Sequence, residues 1–114
     1  MGYLNSKNGV SAIAFIVLYV THKNMKEAEK IVSHLLKKKL IACANFFPIQ
    51  SQYWWKGRIV KSKEIVTLLK TKKQHWKKVE SEIQRIHSYE TPCIMKFDAE
   101  ANLSYVRWID AETK

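Results

Sequence analysis

A long β-hairpin predicted between Ala42 and Lys72 most constrains what this chain can fold into. Aromatic and β-branched residues stand on both sides of a turn at Lys56-Gly57, a pattern typical of a hairpin. The returning arm, Arg58 to Thr71, would span roughly 45 Å as a strand at about 3.3 Å per residue. Strands in globular domains usually have about 3–10 residues. We therefore expect the hairpin to extend beyond its own domain and to contact a second copy of the chain.

The hydrophobic pattern predicts the other elements. Residues 12–20 are almost uniformly apolar, which favours a central strand that is covered on both faces. Asn24 is a suitable N-cap for a first helix, and a second helix follows the cap Thr71. The second helix is expected to turn Glu82 outward. A short fourth strand and a last helix over 102–109 complete the chain, and Pro48 predicts a bulge or kink in the hairpin.

This order is that of the ferredoxin-like split βαβ fold, an α+β class. We expect a βαββαβ arrangement with a short C-terminal helix, in which a four-stranded antiparallel sheet carries two helices on one face. The other face would be apolar and bare, so self-association through the sheets is expected. Residues 1–11 are expected to form a flexible N-terminal segment and residues 12–114 a single domain.

The chain has 114 residues and a formal net charge of +10. Lysines dominate and are spread along the sequence, which favours a solvated surface over a specific nucleic-acid site. A single-stranded RNA-binding domain remains an alternative, because such domains share this strand order. No apolar run is long enough for a membrane span, and no membrane partner is expected, since the bulky Tyr3 argues against the acylation pattern that the chain start matches at Gly2. Two cysteines without a CxxC spacing favour a reducing, cytoplasmic compartment.

The sequence contains no phosphate-binding glycine loop and no nucleophile with an adjacent base, so no enzymatic activity is expected. His87 stands at the predicted end of the second helix, with Tyr89 and Glu90 directly after it. A histidine nitrogen and a carboxylate suit Cu(II) or another divalent metal. We expect His87 and Glu90, with Cys43 as a further ligand, to bind such a metal weakly, and no tightly bound cofactor.

Several separate stretches resemble the CutA family of divalent-ion tolerance proteins. They are Leu40-Ile41-Ala42-Cys43-Ala44-Asn45, Tyr53-Trp54-Trp55-Lys56-Gly57, Glu64 with Lys70-Thr71, His87-Ser88-Tyr89-Glu90-Thr91-Pro92, and Tyr105-Val106-Arg107-Trp108. The resemblance covers roughly residues 15–110. It implies a ferredoxin-like homotrimer with the sheets inside, a cytoplasmic location and a link to copper and other heavy metals.

The resemblance also implies an interface and a ligand cleft. Tyr53, Trp54, Trp55 and Trp108 are expected at the trimer interface. Tyr89, Glu64 and Lys70 are expected in a cleft for a divalent ion or a small anionic ligand, as in a PII-like signalling trimer, which is the alternative function.

The chain departs from the family pattern at several positions. Ser88 replaces a proline, and Val20 and Ile86 replace residues that a bacterial member uses near copper. The family's complete metal site is therefore not expected here.

Overall fold

The structure, a computed structural model, describes residues 14–114. Its strands are β1 (Ala14–His22), β2 (Cys43–Trp55), β3 (Arg58–Thr71) and β4 (Ile94–Glu100). Its helices are α1 (Met25–Lys37), α2 (Trp76–Ile86) and α3 (Leu103–Glu112), and a 3₁₀ turn (Lys73–His75) leads into α2. The predicted N-terminal segment 1–11, the acylation match at Gly2 and the first two residues of the predicted first strand lie outside the described residues. Within the described part, no helix is long and apolar enough to cross a membrane.

The four strands form one antiparallel sheet in the order β2-β3-β1-β4. This confirms the predicted ferredoxin-like fold, with β1 in the interior of the sheet. β1 continues through Thr21 and His22, where the sequence had predicted that the strand ends. The extension arises because Thr21 pairs with Val66 and His22 with Ile65 on β3.

Helices α1 and α2 cover one face of the sheet. The core between them contains alternate residues of β1, including Leu18, together with Leu35 of α1 and Ile83 of α2, all of which are fully buried. Helix α1 begins as predicted, since the Asn24 side chain accepts a hydrogen bond from the backbone N–H of Glu27 at 2.9 Å.

Helix α3 packs on the other face of the sheet, at one end. There Val106 and Ile109 contact Phe15, which alternates with the helix-covered residues of β1. No other described helix packs on this face, although Glu64 and Val66 of β3 are buried there. The face exposes Phe47, Met95 and Phe97, whose exposed fractions are 44%, 43% and 53%. We call this region the helix-free face.

The hairpin turn has the geometry that the sequence predicts. Lys56 and Gly57 both have positive φ angles, 50° and 80°, as a two-residue type I′ turn requires. The predicted bulge at Pro48 is wrong, because β2 and β3 pair without interruption from Cys43–Lys70 to Trp55–Arg58. Proline is accommodated because β2 is the edge strand of the described sheet, where it pairs with β3 alone.

The tip of the hairpin extends past the rest of the sheet. β1 pairs with β3 only over Ile65–Thr71, so within residues 14–114 no third strand lies beside Arg58–Glu64 and the facing residues 49–55 of β2. At about 3.3 Å per residue this overhang is roughly 23 Å long. The protein is accordingly elongated, with a longest dimension of 52 Å.

The prediction that Glu82 faces outward is wrong, because the contact between α1 and α2 buries it. Its carboxylate accepts hydrogen bonds from His34 at 2.7 Å, from Arg85 at 2.9 Å and from Lys38 at 3.3 Å. These bonds lower the pKa of Glu82 to about 2. The residue therefore links the two helices through a charged cluster.

Candidate functional site

A groove of about 610 Å³ lies between the hairpin overhang and the segment that joins α2 to β4. The hairpin contributes Tyr53, Trp55 and Glu64 to its walls, and the opposite side contributes Tyr89, Glu90 and Cys93. None of the described residues that line it is cationic, although the chain carries a net charge of +10. The groove is thus a locally acidic and aromatic site on a basic protein.

Glu64 supplies the buried charge of the groove. It lies on β3 directly beyond the last residue pair with β1, and only 8% of its surface is exposed. One carboxylate oxygen, Oε2, accepts a hydrogen bond from the Tyr89 hydroxyl at 2.5 Å. The other oxygen, Oε1, accepts none from the described residues. Burial and the Glu64 carboxylate raise the pKa of Tyr89, so the phenol remains a hydrogen-bond donor.

His87 positions this pair through two hydrogen bonds of its own. Its Nε2–H donates to the carbonyl oxygen of Thr21 at 2.8 Å, because a carbonyl can only accept. Its Nδ1 then accepts from the backbone N–H of Tyr89 at 3.0 Å. Both ring nitrogens are therefore engaged in fixing the chain that carries Tyr89.

His22 lies behind this network and is completely buried. Its ring stacks on that of His87 with 5.4 Å between the centroids, and its Nε2 shares a hydrogen bond with the Thr67 hydroxyl at 2.8 Å. Its Nδ1 has no partner among the described residues. Burial, with a further contribution from the nearby His87, lowers the pKa of His22 to about 4.

The fold separates the three residues that the sequence suggested as metal ligands. Cys43 pairs with Lys70, at the other end of the hairpin from the groove, and its thiol lies 3.4 Å from the Tyr105 hydroxyl. Glu90 is at the groove rim, 4.0 Å from the Lys56 ammonium, and is largely exposed. His87 is near the groove, and both of its ring nitrogens make hydrogen bonds, to the Thr21 carbonyl and the Tyr89 N–H.

The predicted ligand cleft is brought together in part. Tyr89 and Glu64 are hydrogen-bonded partners. Lys70 lies six residues farther along β3, roughly 20 Å away at the rise of a strand. Its ammonium donates to the side chain of Asn45 on β2. The structure therefore places no lysine of the predicted cleft beside Glu64.

The four aromatic residues expected at the interface are all accessible on the single chain. Trp54 is the most exposed at 72% and pairs with Ile59, on the opposite side of the hairpin from the groove. Tyr53 and Trp55 line the groove. Trp108 lies on α3 and stacks on Tyr105, with 5.8 Å between the ring centroids.

Sequence reasoning missed Cys93 and His22. Cys93 lines the groove, and burial together with the Glu64 charge raises the pKa of its thiol. The available signal for Cys93 was its position directly before β4. The first residue of β4, Ile94, lies opposite Val20 of β1, so Cys93 is close to Thr21. His22 had been assigned to the break after the first strand, so its burial was not anticipated.

Comparison with known proteins identifies a family. The model of the family described as "CutA1 divalent ion tolerance protein" matches residues 16–112. The divalent-cation tolerance protein CutA of Pyrococcus horikoshii is 39% identical over 100 residues, which cover 87% of this chain and 98% of the relative. The protein of the same name from Archaeoglobus fulgidus is 42% identical over 94 residues, which cover 82% and 92%.

Solved structures agree with these sequence matches. CutA1 from Ehrlichia chaffeensis superposes with a TM-score of 0.85 at 36% identity, covering 90% of this chain and 97% of that one. The Archaeoglobus fulgidus structure, described as a periplasmic divalent cation tolerance protein, gives a TM-score of 0.83 at 38% identity, with coverage of 90% and 100%. The chain therefore belongs to the CutA1 family of divalent ion tolerance proteins.

Proposed function

We propose that the protein acts in divalent-cation tolerance as a homotrimer that binds a divalent cation in the acidic groove. The observation that carries this proposal is Glu64, a buried carboxylate with one oxygen that accepts no hydrogen bond from the described residues, in a groove whose described lining residues include no cation. Burying a charge is costly unless a partner compensates it. A bound cation would supply that compensation.

The second donor that the geometry favours is the Cys93 thiol, which lines the same groove. A carboxylate oxygen and a thiolate suit Cu(II) or Zn(II). Within the described part of the chain, no three metal-binding side chains cluster. A complete site therefore requires donors from a second copy, and two donors from one chain support micromolar rather than tighter binding.

Two features support a homotrimer. The helix-free face exposes large apolar side chains, and soluble monomers rarely leave such surface uncovered. The hairpin overhang is a two-stranded ribbon, which has marginal stability in water without a surface to pack on. Copies that meet through their helix-free faces would cover both features and would place the groove at a subunit boundary. A cytoplasmic location belongs to the same proposal, since both cysteines are unpaired thiols.

Calorimetric titration with Cu(II) and Zn(II) tests the metal role. We expect Glu64→Gln to weaken binding by roughly tenfold or more, because the amide keeps the Tyr89 hydrogen bond but removes the charge. Cys43→Ser should bind like the wild type, since Cys43 lies far from the groove. Affinity should also fall as the pH is lowered, because the thiol must release its proton to bind.

His87→Ala tests the original prediction that His87 is a ligand. A loss of metal affinity as large as that caused by Glu64→Gln would favour direct coordination of the metal by His87. A smaller loss would favour its role in positioning Tyr89. Equal metal affinity of Glu64→Gln and the wild type would contradict the proposed site.

Nucleic-acid binding is expected to be weak and independent of sequence. Any contacts would be between lysines and phosphates, and these exchange with counterions as salt is added. Fluorescence anisotropy with single-stranded RNA should show affinity at low salt that is lost at physiological salt. Nanomolar, sequence-dependent binding at physiological salt would instead favour the RNA-binding alternative.

A further inference from the structure

The groove has more space and more aromatic surface than a metal ion needs. Its volume of about 610 Å³ lies in the range typical of sites for small organic ligands, roughly 300–1,000 Å³. Tyr53, Trp55 and Tyr89 form its walls, and both Glu64 and Glu90 face it. Aromatic faces with nearby carboxylates are the surroundings that organic ammonium groups favour.

An ammonium group of the protein itself already uses part of this arrangement. The Lys56 Nζ lies 5.5 Å from the centroid of the Trp55 ring and 4.0 Å from Glu90 Oε1. In the single chain the Lys56 and Glu90 side chains are each 72% exposed, so water reaches this contact and a ligand can displace the lysine. The rim of the groove thus already has a primary ammonium near the Trp55 ring and the Glu90 carboxylate.

We propose that the groove binds a linear aliphatic amine with at least two ammonium groups. One ammonium meets the free oxygen of Glu64, and the other replaces Lys56 between Trp55 and Glu90. The hydrocarbon chain between them packs on the aromatic walls. This role goes beyond the proposed metal site and does not depend on it, although both use Glu64.

The net charge of the chain makes non-specific attraction of such a ligand unfavourable. A protein with a net charge of +10 repels a polycation in general, so any affinity must come from a local acidic site. Spermidine can therefore serve as the probe for this site. The control ligand is n-butylamine, which carries only one positive charge.

The experiment is calorimetric titration of the full chain with spermidine, at physiological salt and with a chelator present to exclude metals. We expect one spermidine per chain. Glu64→Gln should weaken binding roughly tenfold or more, as for loss of a charge-assisted hydrogen bond. Glu90→Gln, at an exposed position, should also weaken it, and n-butylamine should bind at least about tenfold more weakly than spermidine.

Three further variants test the contributions of the aromatic wall and of Lys56 to spermidine binding. Trp55→Leu should weaken spermidine binding several-fold, whereas Trp54→Leu on the opposite side of the hairpin is the matched control and should not. Lys56→Asn should strengthen binding several-fold, because it removes the internal competitor. Asparagine tolerates the positive φ at this position.

The proposal is overturned if the wild type does not bind spermidine under these conditions. It is also overturned if Glu64→Gln and Trp55→Leu both bind as the wild type does, or if Lys56→Asn weakens binding. Since the chelator excludes metals, a failure here leaves the metal titration unaffected. A Trp55→Leu variant that keeps Cu(II) binding while losing spermidine would separate the two roles.

Discussion

Phe97→Asp is expected to convert the proposed homotrimer into single chains. Phe97 lies on β4 in the helix-free face and is 53% exposed in one chain, so a single folded chain tolerates the aspartate there. In a trimer packed through these faces, the substitution would bury three carboxylates in apolar surroundings, at a cost of several kcal/mol each. Light scattering behind size exclusion should show the mass fall from three chains to one, with the far-ultraviolet circular dichroism unchanged.

Leu36→Asp is the matched control for this experiment. Leu36 is 41% exposed, but it lies on α1, on the side of the sheet that the proposed trimer leaves in solvent. This variant should therefore remain a trimer. The proposed assembly is wrong if the wild-type chain has the mass of a monomer at micromolar concentration, or if Phe97→Asp keeps the mass of the wild type.

The free energy of unfolding should fall by about 3 kcal/mol between pH 6.5 and pH 4 because of His22. Its pKa is about 4 in the folded chain and 6.5 in the unfolded chain, so the unfolded state binds a proton first as the pH falls. Each pH unit between these two pKa values lowers the free energy of unfolding by about 1.4 kcal/mol. The stability contribution is thus fully present above pH 6.5, is lost through this window and changes no further below pH 4. Urea unfolding at fixed protein concentration at pH 7 and pH 4 measures it.

Two histidine variants test whether His22 is responsible for this pH dependence. His22→Gln should lower stability at pH 7 and should flatten the pH dependence, whereas His75→Gln, at a half-buried histidine in the 3₁₀ turn, should keep the wild-type slope. Glu82 overlaps only the last half unit of this range, because its pKa lies at about 2 and its stabilisation is lost only below about pH 4.5, and His22→Gln leaves that contribution in place. A slope that His22→Gln leaves unchanged would show that another group is responsible.

The features that the sequence predicted correctly are encoded within short stretches of chain. The Asn24 cap acts on Glu27, three residues away, and the turn at Lys56-Gly57 depends on two adjacent residues. Strand order followed from these local elements, because few topologies satisfy right-handed crossovers and short connections. The fold could therefore be predicted almost completely.

The groove could be predicted only in part, because its contacts join residues that are far apart in the chain. Tyr89 and Glu64 were both expected in one cleft on the basis of family resemblance. Glu82 was assigned to the outer face because its partners in and directly after α1, His34 and Lys38, are 48 and 44 residues away. Pairs of this kind depend on how the helices pack, which periodicity alone does not specify.

Pro48 has a consequence for solubility. The outer edge of β2 runs for thirteen residues, and an unpaired edge of that length offers backbone donors and acceptors on which another strand can align. Proline has no N–H to offer, so it interrupts this row near its middle without disturbing the pairing with β3. Fibril-like stacking of hairpins along that edge is thereby disfavoured.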